Sequence, residues 1–483
     1  MDNYIRRNDG YVTILLTLIM AVLLSLCLTM VEGARRGGIR LESEIVAETA
    51  INSCLAEYHR MLLERYNLFA IDSSYGSDEA VPGNTEAHMM DYLQKNLDLE
   101  DLFLSEYLYR DFLALKPESA KLEGIRFLTD GEGTVLRRRC AEAVKNDLFL
   151  QDLQMLQEYA AIVESQNLES ADIYGQFLQV EQEIEQRREK YTIVDKEEIP
   201  IPYESPFGNF LAELSGNILR FAVREDISEK MLSGEALYTD RLAAGAVNVG
   251  NLELPEVSLP EGFSERLFFQ GYIDRYFVCL TDTPEDTVLD YELEYLVCGK
   301  PSDQRNLLGV AERLFALRSA IDYICIQSDA TRVGIAQTAA VILSALILSP
   351  ELEEAFKQLI LLGWSMVEAA GDVRTLCGGG RVPFWKTPSD WGSSLESAMG
   401  GEVSEAKEIP GLSYKDHMQI FLFLMGTEKL TGRVADLMEA TLRGTPGNEH
   451  FRLDGCMDEI EATIVTQSAY GYRCELTRQR GYR

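Results

Sequence analysis

YVTILLTLIMAVLLSLCLTMV, from Tyr11 to Val31, runs for 21 residues without a charge or a proline. A helix of that length, at about 1.5 Å per residue, spans roughly 30 Å, the thickness of a bilayer core. Its polar side chains are only the hydroxyls of Thr13, Thr17, Ser25 and Thr29, and these can bond back to a carbonyl one turn earlier. A cleaved secretory signal wants an apolar core of about 7–15 residues and a small-x-small cleavage site. This run is longer, and Val31-Glu32-Gly33-Ala34 makes a poor site. A buried core helix is rarely apolar on all sides. The reading that remains is a retained transmembrane helix at 11–31 behind a cytoplasmic tail at 1–10. Arg6 and Arg7 precede the span while Arg35, Arg36 and Arg40 follow it, so charge alone leaves the orientation open. The shortness of the tail favours an amino terminus inside and the bulk of the chain outside, a single-pass protein of the cell membrane.

Beyond a glycine-containing joint (Gly33, Gly37, Gly38), apolar positions recur at Ala47, Ile51, Cys54, Tyr58 and Met61. Spacings of four and three mark an amphipathic helix over 41–66, with a stop at Tyr66-Asn67 and a short strand at 68–71. A span leading into a helix and then a globular head is the plan of a pilin or pseudopilin. An anchor followed by an ordinary domain helix fits equally well. The small residues Ala21, Gly33, Ala34 and Gly37 would let another helix come close.

The chain of 483 residues holds 45 Lys+Arg against 78 Asp+Glu, a net charge of −33. Residues 1–40 are net +2 and the remainder net −35, so a small basic, apolar foot carries a large acidic body. Such a body is unsuited to nucleic acid, whose phosphates need a basic face. At 46% hydrophobic residues, wholesale disorder and a many-span membrane protein are both excluded.

The expected fold is α+β, mainly helical. The transmembrane helix continues into a long amphipathic helix, and a mixed ectodomain follows, with a small sheet and a helical carboxyl-terminal half. Residues 32–194 are read as a membrane-proximal helical region with short strands, 195–260 as linker-like, and 261–483 as a mostly helical domain. Within them, 88–115 reads as helix and Gly124–Leu128 as a strand before the turn Asp130–Gly133. A long helix is expected from about Leu136 to Lys190, with coiled-coil-like packing on the membrane-proximal helix over about two heptads. Phe263–Leu280 and Asn306–Tyr323 read as helices and Thr287–Cys298 as a strand. Gly334–Leu348 and Glu351–Asp372 form an apolar helix pair hinged at Ser349-Pro350. The first is too short for a second span and reads as a buried core helix. Ser413–Leu424 and Arg433–Leu442 complete the helical half.

Motifs that carry chemistry are scarce. His59, His88, His417 and His450 are dispersed, and neither H-E-x-x-H nor a paired-cysteine zinc pattern occurs. Gly378-Gly379-Gly380-Arg381 lacks the Lys-Ser/Thr of a phosphate loop, and no G-x-S-x-G elbow is present. No cofactor or metal is therefore assigned. Glu368 and Asp372, four apart on a predicted helix with Arg374 nearby, suit acid–base work or a cation. They suit equally a helix end whose charges meet Arg374 and a neighbouring loop. Trp364, Trp385 and Trp391 are all the tryptophans in the chain. They read either as an aromatic contact surface or as a loop pinned to the core. Outside the span lie eight cysteines without a C-x-x-C, expected to be mostly free, with Cys456 and Cys474 the pair to test first.

Several stretches resemble a known group of sequences. These are Gly10–Thr13 with the apolar run behind it, Val31-Glu32-Gly33-Ala34-Arg35 and AEYHRMLLERYNLFAID (Ala56–Asp72). In the second half they are YELEYLVCGKPSDQRNL (Tyr291–Leu307), LILLGWSMVEAAGDVRTLCGGGRVPFWK (Leu359–Lys386) and LSYKDHMQIFL (Leu412–Leu422). The chain is similar to single-span proteins of Gram-positive anaerobes known only as a domain of unknown function. They are associated with Tad-type (tight adherence) pilus loci and have TadE/TadG-like amino termini. The resemblance implies an extracytoplasmic accessory component of a Tad-like pilus or secretion assembly, working by protein–protein contact and not by catalysis. Its partners would be membrane lipid and assembly subunits, with homo- or hetero-oligomers formed through the amino-terminal helix. One departure counts against a polymerising subunit: cleavage after Gly10 would put Leu15, and no Glu, at the fifth mature position. The competing expectation is a membrane-tethered ligand-binding ectodomain, or a cell-wall-active one using paired carboxylates such as Glu368 and Asp372.

Overall fold

One helix, α1 (Asp9–Ala56), carries the apolar run without a break into the amphipathic stretch. The joint expected at Gly33–Gly38 does not interrupt it. A glycine costs a helix about 1 kcal/mol relative to alanine. Here Glu32 pairs with Arg35 and Arg36 one turn on, and Arg40 with Glu44, which supports the weak turns. The computed structural model describes residues 9–98, 113–146, 150–194, 197–223, 226–232, 236–256, 259, 264–283, 286–403 and 410–482. Among these, α1 is the one helix long and apolar enough to cross a membrane.

In chain order α1 is followed by α2 (Arg60–Tyr66), β1 (Ile71–Asp72), α3 (Pro82–Leu97) and β2 (Leu115–Phe127). Next come α4 (Asp130–Val144), α5 (Leu150–Ser165), α6 (Ile173–Arg187), the hairpin β3 (Tyr191–Val194) and β4 (Glu197–Pro200), α7 (Gly208–Ala222) and α8 (Tyr238–Ala243). Then follow α9 (Glu265–Tyr276), α10 (Glu292–Cys298), α11 (Asp303–Ser328), α12 (Ala330–Leu346) and α13 (Glu353–Cys377). The chain closes with α14 (Leu395–Met399), α15 (Tyr414–Phe423), α16 (Thr427–Arg443), β5 (Cys456–Ser468) and β6 (Arg473–Gly481). The fold is thus α+β and mainly helical. It makes two compact units that interleave along the sequence. The first takes Met1–Val135, Ala246–Pro255 and Pro446–Arg483, and the second Leu136–Gly245 and Glu256–Thr445.

The first unit is an antiparallel sheet under helices. β5 is its central strand, with β2 along one edge and β1 and then β6 along the other. Val46, Ala47, Ala50, Ile51 and Cys54 of α1 and Met89 and Leu93 of α3 close over Ile460, Ala462 and Ile464, which alternate along β5. A buried bond of 2.8 Å joins the hydroxyls of Ser43 and Thr466 across this helix–sheet contact. The expected stripe therefore holds at Ala47, Ile51 and Cys54, while Tyr58 and Met61 lie beyond the end of α1. The stop at Tyr66-Asn67 is real: Asn67 takes the left-handed cap (φ 51°) and its N–H reaches Leu63 O at 2.8 Å. The strand expected at 68–71 shrinks to Ile71–Asp72. Helix α3 covers 82–97, and the expected helix beyond it, at 99–112, lies outside the described residues. The turn Asp130–Gly133 is present, with Gly131, Glu132 and Gly133 all at positive φ. Its Asp130 carboxylate accepts the N–H groups of Phe127 and Gly250.

The C-terminal hairpin is the largest departure from expectation. Strands β5 and β6 replace the end of the helical half because Ile460, Thr463, Ile464, Val465 and Thr466 are β-branched and pair with β2, far away in sequence. The hairpin also disposes of a Cys456–Cys474 bridge. Cys474 lies opposite Thr466, ten residues along β5 from Cys456, or about 33 Å at the strand's rise. All nine cysteines are free.

The second unit is built round α13, which is buried almost throughout from Leu359 to Val373 and packs against α6, α7, α11 and α12. The single helix expected over 136–190 breaks into α4, α5 and α6, with a left-handed Asn167 and a 3-10 turn at Leu168–Ser170 before the last. All of this stretch belongs to the second unit. The segment 195–260 is no plain linker either: α7 buries Leu211, Leu214 and Ile218. Residues 292–298 form α10 where a strand was expected. Leu293 to Val297 are buried on every side, so alternation carries no signal there, and a left-handed Gly299 caps the helix. Helix α12 is only half a core helix: Ala336, Ala340 and Ser344 face inward, whereas Ile335, Val341, Ile342 and Leu346 are exposed.

Candidate functional site

Two places in the chain join residues singled out by sequence, and each lies within one unit. The first is the foot of α1. From Tyr11 to Val31 every residue is exposed, and Thr17 and Thr29 bond back to Ile14 O and Ser25 O at 2.9 and 2.8 Å. The chain first closes on the helix at its next turns. Tyr472 donates its hydroxyl to Glu32, the Arg36 guanidinium lies 4.7 Å over the Tyr472 ring, and that of Arg35 lies 4.0 Å over Tyr470. Gly38 is backed by Leu113, but among the described residues nothing lies within 4 Å of where a Cβ would stand on Gly33 or Gly37. Gly33, Ala34 and Gly37 are exposed, and so, on the same open side, are Leu41 (59%) and Ile45 (51%). Ala21 is exposed too, about 120° round the helix from Gly33 at 100° per residue.

The second place holds Glu368 and Asp372. Both carboxylates point into the second unit, where Lys386 Nζ lies 2.7 Å from Glu368 Oε1 and 2.6 Å from Asp372 Oδ1. Arg318 of α11, wholly buried, donates to Asp372 Oδ2 at 2.7 Å through Nη2 and 2.9 Å through Nε. It also reaches Asp322 Oδ1 at 3.2 Å and the carbonyls of Pro383 and Phe384 at 3.1 Å. The loop that follows completes the shell: Gly392 N, Ser393 N and Ser393 Oγ all donate to Glu368. Trp364 Nε1 in turn donates to Ser393 Oγ at 2.9 Å. Arg374, expected as the cation here, instead donates Nε to Phe221 O and lies over the Phe221 ring.

Three carboxylates thus meet two cations out of water. Burial raises Asp322 well above the usual carboxylate range, and its Oδ2 has no hydrogen-bond partner. Burial works to raise Asp372 as well, but Lys386 and Arg318 outweigh it and hold that carboxylate low. Burial thus favours the protonated form of Asp322, in which two carboxylates would face two cations and the cluster would be neutral. With Glu368 and Asp372 held by Lys386, Arg318 and the loop amides, the cluster fastens the loop 383–393 inside the second unit.

The tryptophans divide the same way. Trp364 and Trp391 are buried edge to face at 6.3 Å beneath Arg332, whereas Trp385 is 37% exposed against Phe384. Two of the three pin a loop and one is left for contact.

An open cleft of about 380 Å³ lies elsewhere in this unit, between α6 and α7. Tyr174, Phe177, Glu181, Glu204 and Asn209 line it, so a pair of carboxylates does face solvent, though not the pair that sequence suggested. Among the described residues no three His, Cys, Asp or Glu side chains gather as metal ligands. Sequence reasoning missed Arg318, Lys386 and Ser393. Lys386 is one of three cations in the tryptophan window, beside Arg374 and Arg381, and nothing local marks it out; Arg318 lies 54 residues from its partner and carried no local signal.

No curated protein and no solved structure matches the chain. Residues 196–468 do match a described family, and they are more than half of the length. The chain belongs to that family, a family of unknown function (DUF5702).

Proposed function

We propose that this protein is a membrane-anchored, extracytoplasmic structural component of a Tad-like pilus or secretion assembly. It acts by helix packing and protein–protein contact, and it performs no catalysis. One observation carries the reading. Helix α1 leaves its apolar run bare and then buries one face in its own sheet, while on the open side Leu41 and Ile45 are exposed and, among the described residues, nothing covers Gly33 or Gly37. A helix half lipid-borne and half head-borne, with small and apolar residues on its free side, suits lateral packing against other helices. The amino terminus is placed in the cytoplasm and the acidic head outside it. The test is affinity capture of the tagged full chain from detergent-solubilised membranes, with partners identified by mass spectrometry. Recovery of pilin or pilus-motor subunits, lost on Gly33→Leu/Gly37→Leu substitution, supports the proposal. Recovery of the chain alone, or of the same partners with both glycines replaced, defeats it.

A second reading rests on the cleft between α6 and α7, whose Glu181 and Glu204 would serve a ligand-binding or cell-wall-active ectodomain. Its check is a thermal shift with muropeptide fragments that disappears in Glu181→Gln/Glu204→Gln.

A further inference from the structure

The depth at which the chain closes on α1 locates a second membrane contact. Glu32, Arg35 and Arg36 lie one to five residues past Val31, about 2–8 Å further along the helix axis. The headgroup layer on each side of a bilayer core is about 5–8 Å deep. What meets α1 at that level is the β5–β6 turn, Ala469–Tyr472. Gly471 (φ +85°) makes it tight, with Gly471 N donating to Ser468 O at 2.9 Å and Ser468 N to Tyr472 O at 2.8 Å. The turn thereby puts a tyrosine on either side of the glycine. Tyr472 is tied to Glu32 under Arg36, and Tyr470 lies under Arg35 while 47% exposed.

Tyrosine is enriched at membrane interfaces because its ring favours the acyl boundary and its hydroxyl the water. Arginine beside it supplies donors for phosphate. At this level the Arg36 side chain stays 63% exposed while it pairs with Glu32; Arg40, about 13 Å past Val31, is 78% exposed and pairs with Glu44. Residues 1–40 carry five arginines against three acids, on a chain of net charge −33.

We propose that the β5–β6 turn is a membrane-interface contact: Tyr470 and Tyr472 lie among lipid headgroups beside α1, with Arg36 at the level of the lipid phosphates. The turn fixes the tilt of the first unit on its own anchor, giving the head a defined footing where a lone helix would let it swivel. The proposal rests on Tyr11–Val31 being a retained span.

The experiment places a tryptophan at Tyr470 of the full chain, reconstituted in phosphatidylcholine vesicles, and follows emission added over that of the parent. A spin label on the lipid headgroup should remove most of the added emission, and bromines deep in the acyl chains little of it. A Leu23→Trp chain in the same vesicles reports the span by the opposite pattern. Headgroup quenching at 470 with deep quenching at 23 supports the contact. Emission at 470 that escapes the headgroup label and yields to aqueous iodide, with 23 still deep, overturns the contact and leaves the anchor standing. Loss of deep quenching at 23 overturns the span and the contact together. Should Tyr470→Trp lower the denaturation midpoint, Ala469→Trp, at an exposed neighbouring position, gives the same readout.

Discussion

Lys386 Nζ lies 2.6 Å from Asp372 Oδ1, and both side chains are 1% exposed. Removing one partner of a buried pair leaves an uncompensated charge, at a cost of about 3–5 kcal/mol. Lys386→Met should therefore destabilise the second unit by about that amount. Asp322→Asn should cost much less than Asp372→Asn, because burial favours the protonated form of Asp322 and an amide mimics that form. Denaturant titration followed by the fluorescence of Trp364 and Trp391, which flank the cluster, measures all three. Equal losses for the two asparagine variants would refute the assignment of the proton.

Two buried groups set opposing pH dependences. Burial lowers His417 to about 4 from an ordinary 6.5, so its contribution is present above 6.5 and lost as pH falls toward 4. Burial raises Glu294 to about 7 from an ordinary 4.5, so its contribution is present below 4.5 and lost as pH rises through 7. Each amounts to about 3 kcal/mol, and they offset one another between those limits. Glu294→Gln, whose Oε1 can still accept from Leu280 N and Tyr414, should leave a stability that rises more with pH over that window than the parent's. His417→Gln should leave one that only falls. Denaturation midpoints at pH 5 and pH 7 decide it, and parallel curves for both variants would sink the assignment.

Gly33 and Gly37 have open space where a side chain would go. Leucine at both should leave the fold intact, even firmer by about 1 kcal/mol per site from helix propensity, while cross-linking of α1 to neighbouring helices in membranes falls. A lower melting temperature would show that the head needs these glycines for itself.

Free cysteines give a direct check on the C-terminal hairpin. Alkylation of the denatured chain without reductant should modify all nine, and Cys474 should react before the buried Cys456 in the native protein. A mass showing two thiols missing would contradict the β5–β6 register.

Much of the first unit was legible because its signals are local. Asn67 ends α2 as its place in the sequence suggested, and Ala47, Ile51 and Cys54 face the core as their spacing demanded. The stretch 287–298 misled for the same reason. A helix buried on all sides shows no 3.6-residue period, and the mostly alternating Val288 to Val297 was left to speak for a strand.

By itself the sequence determined the long apolar helix, its amphipathic continuation in α1 and the mainly helical class, since each follows from which side chains neighbour one another along the chain. Tertiary structure alone decided that Glu368 and Asp372 are held by Lys386 and Arg318, that β5 is the centre of a sheet, and that two units interleave. Those outcomes depend on groups brought together from distant positions, where closing the loop and leaving water set the energy. No window of consecutive residues records that balance.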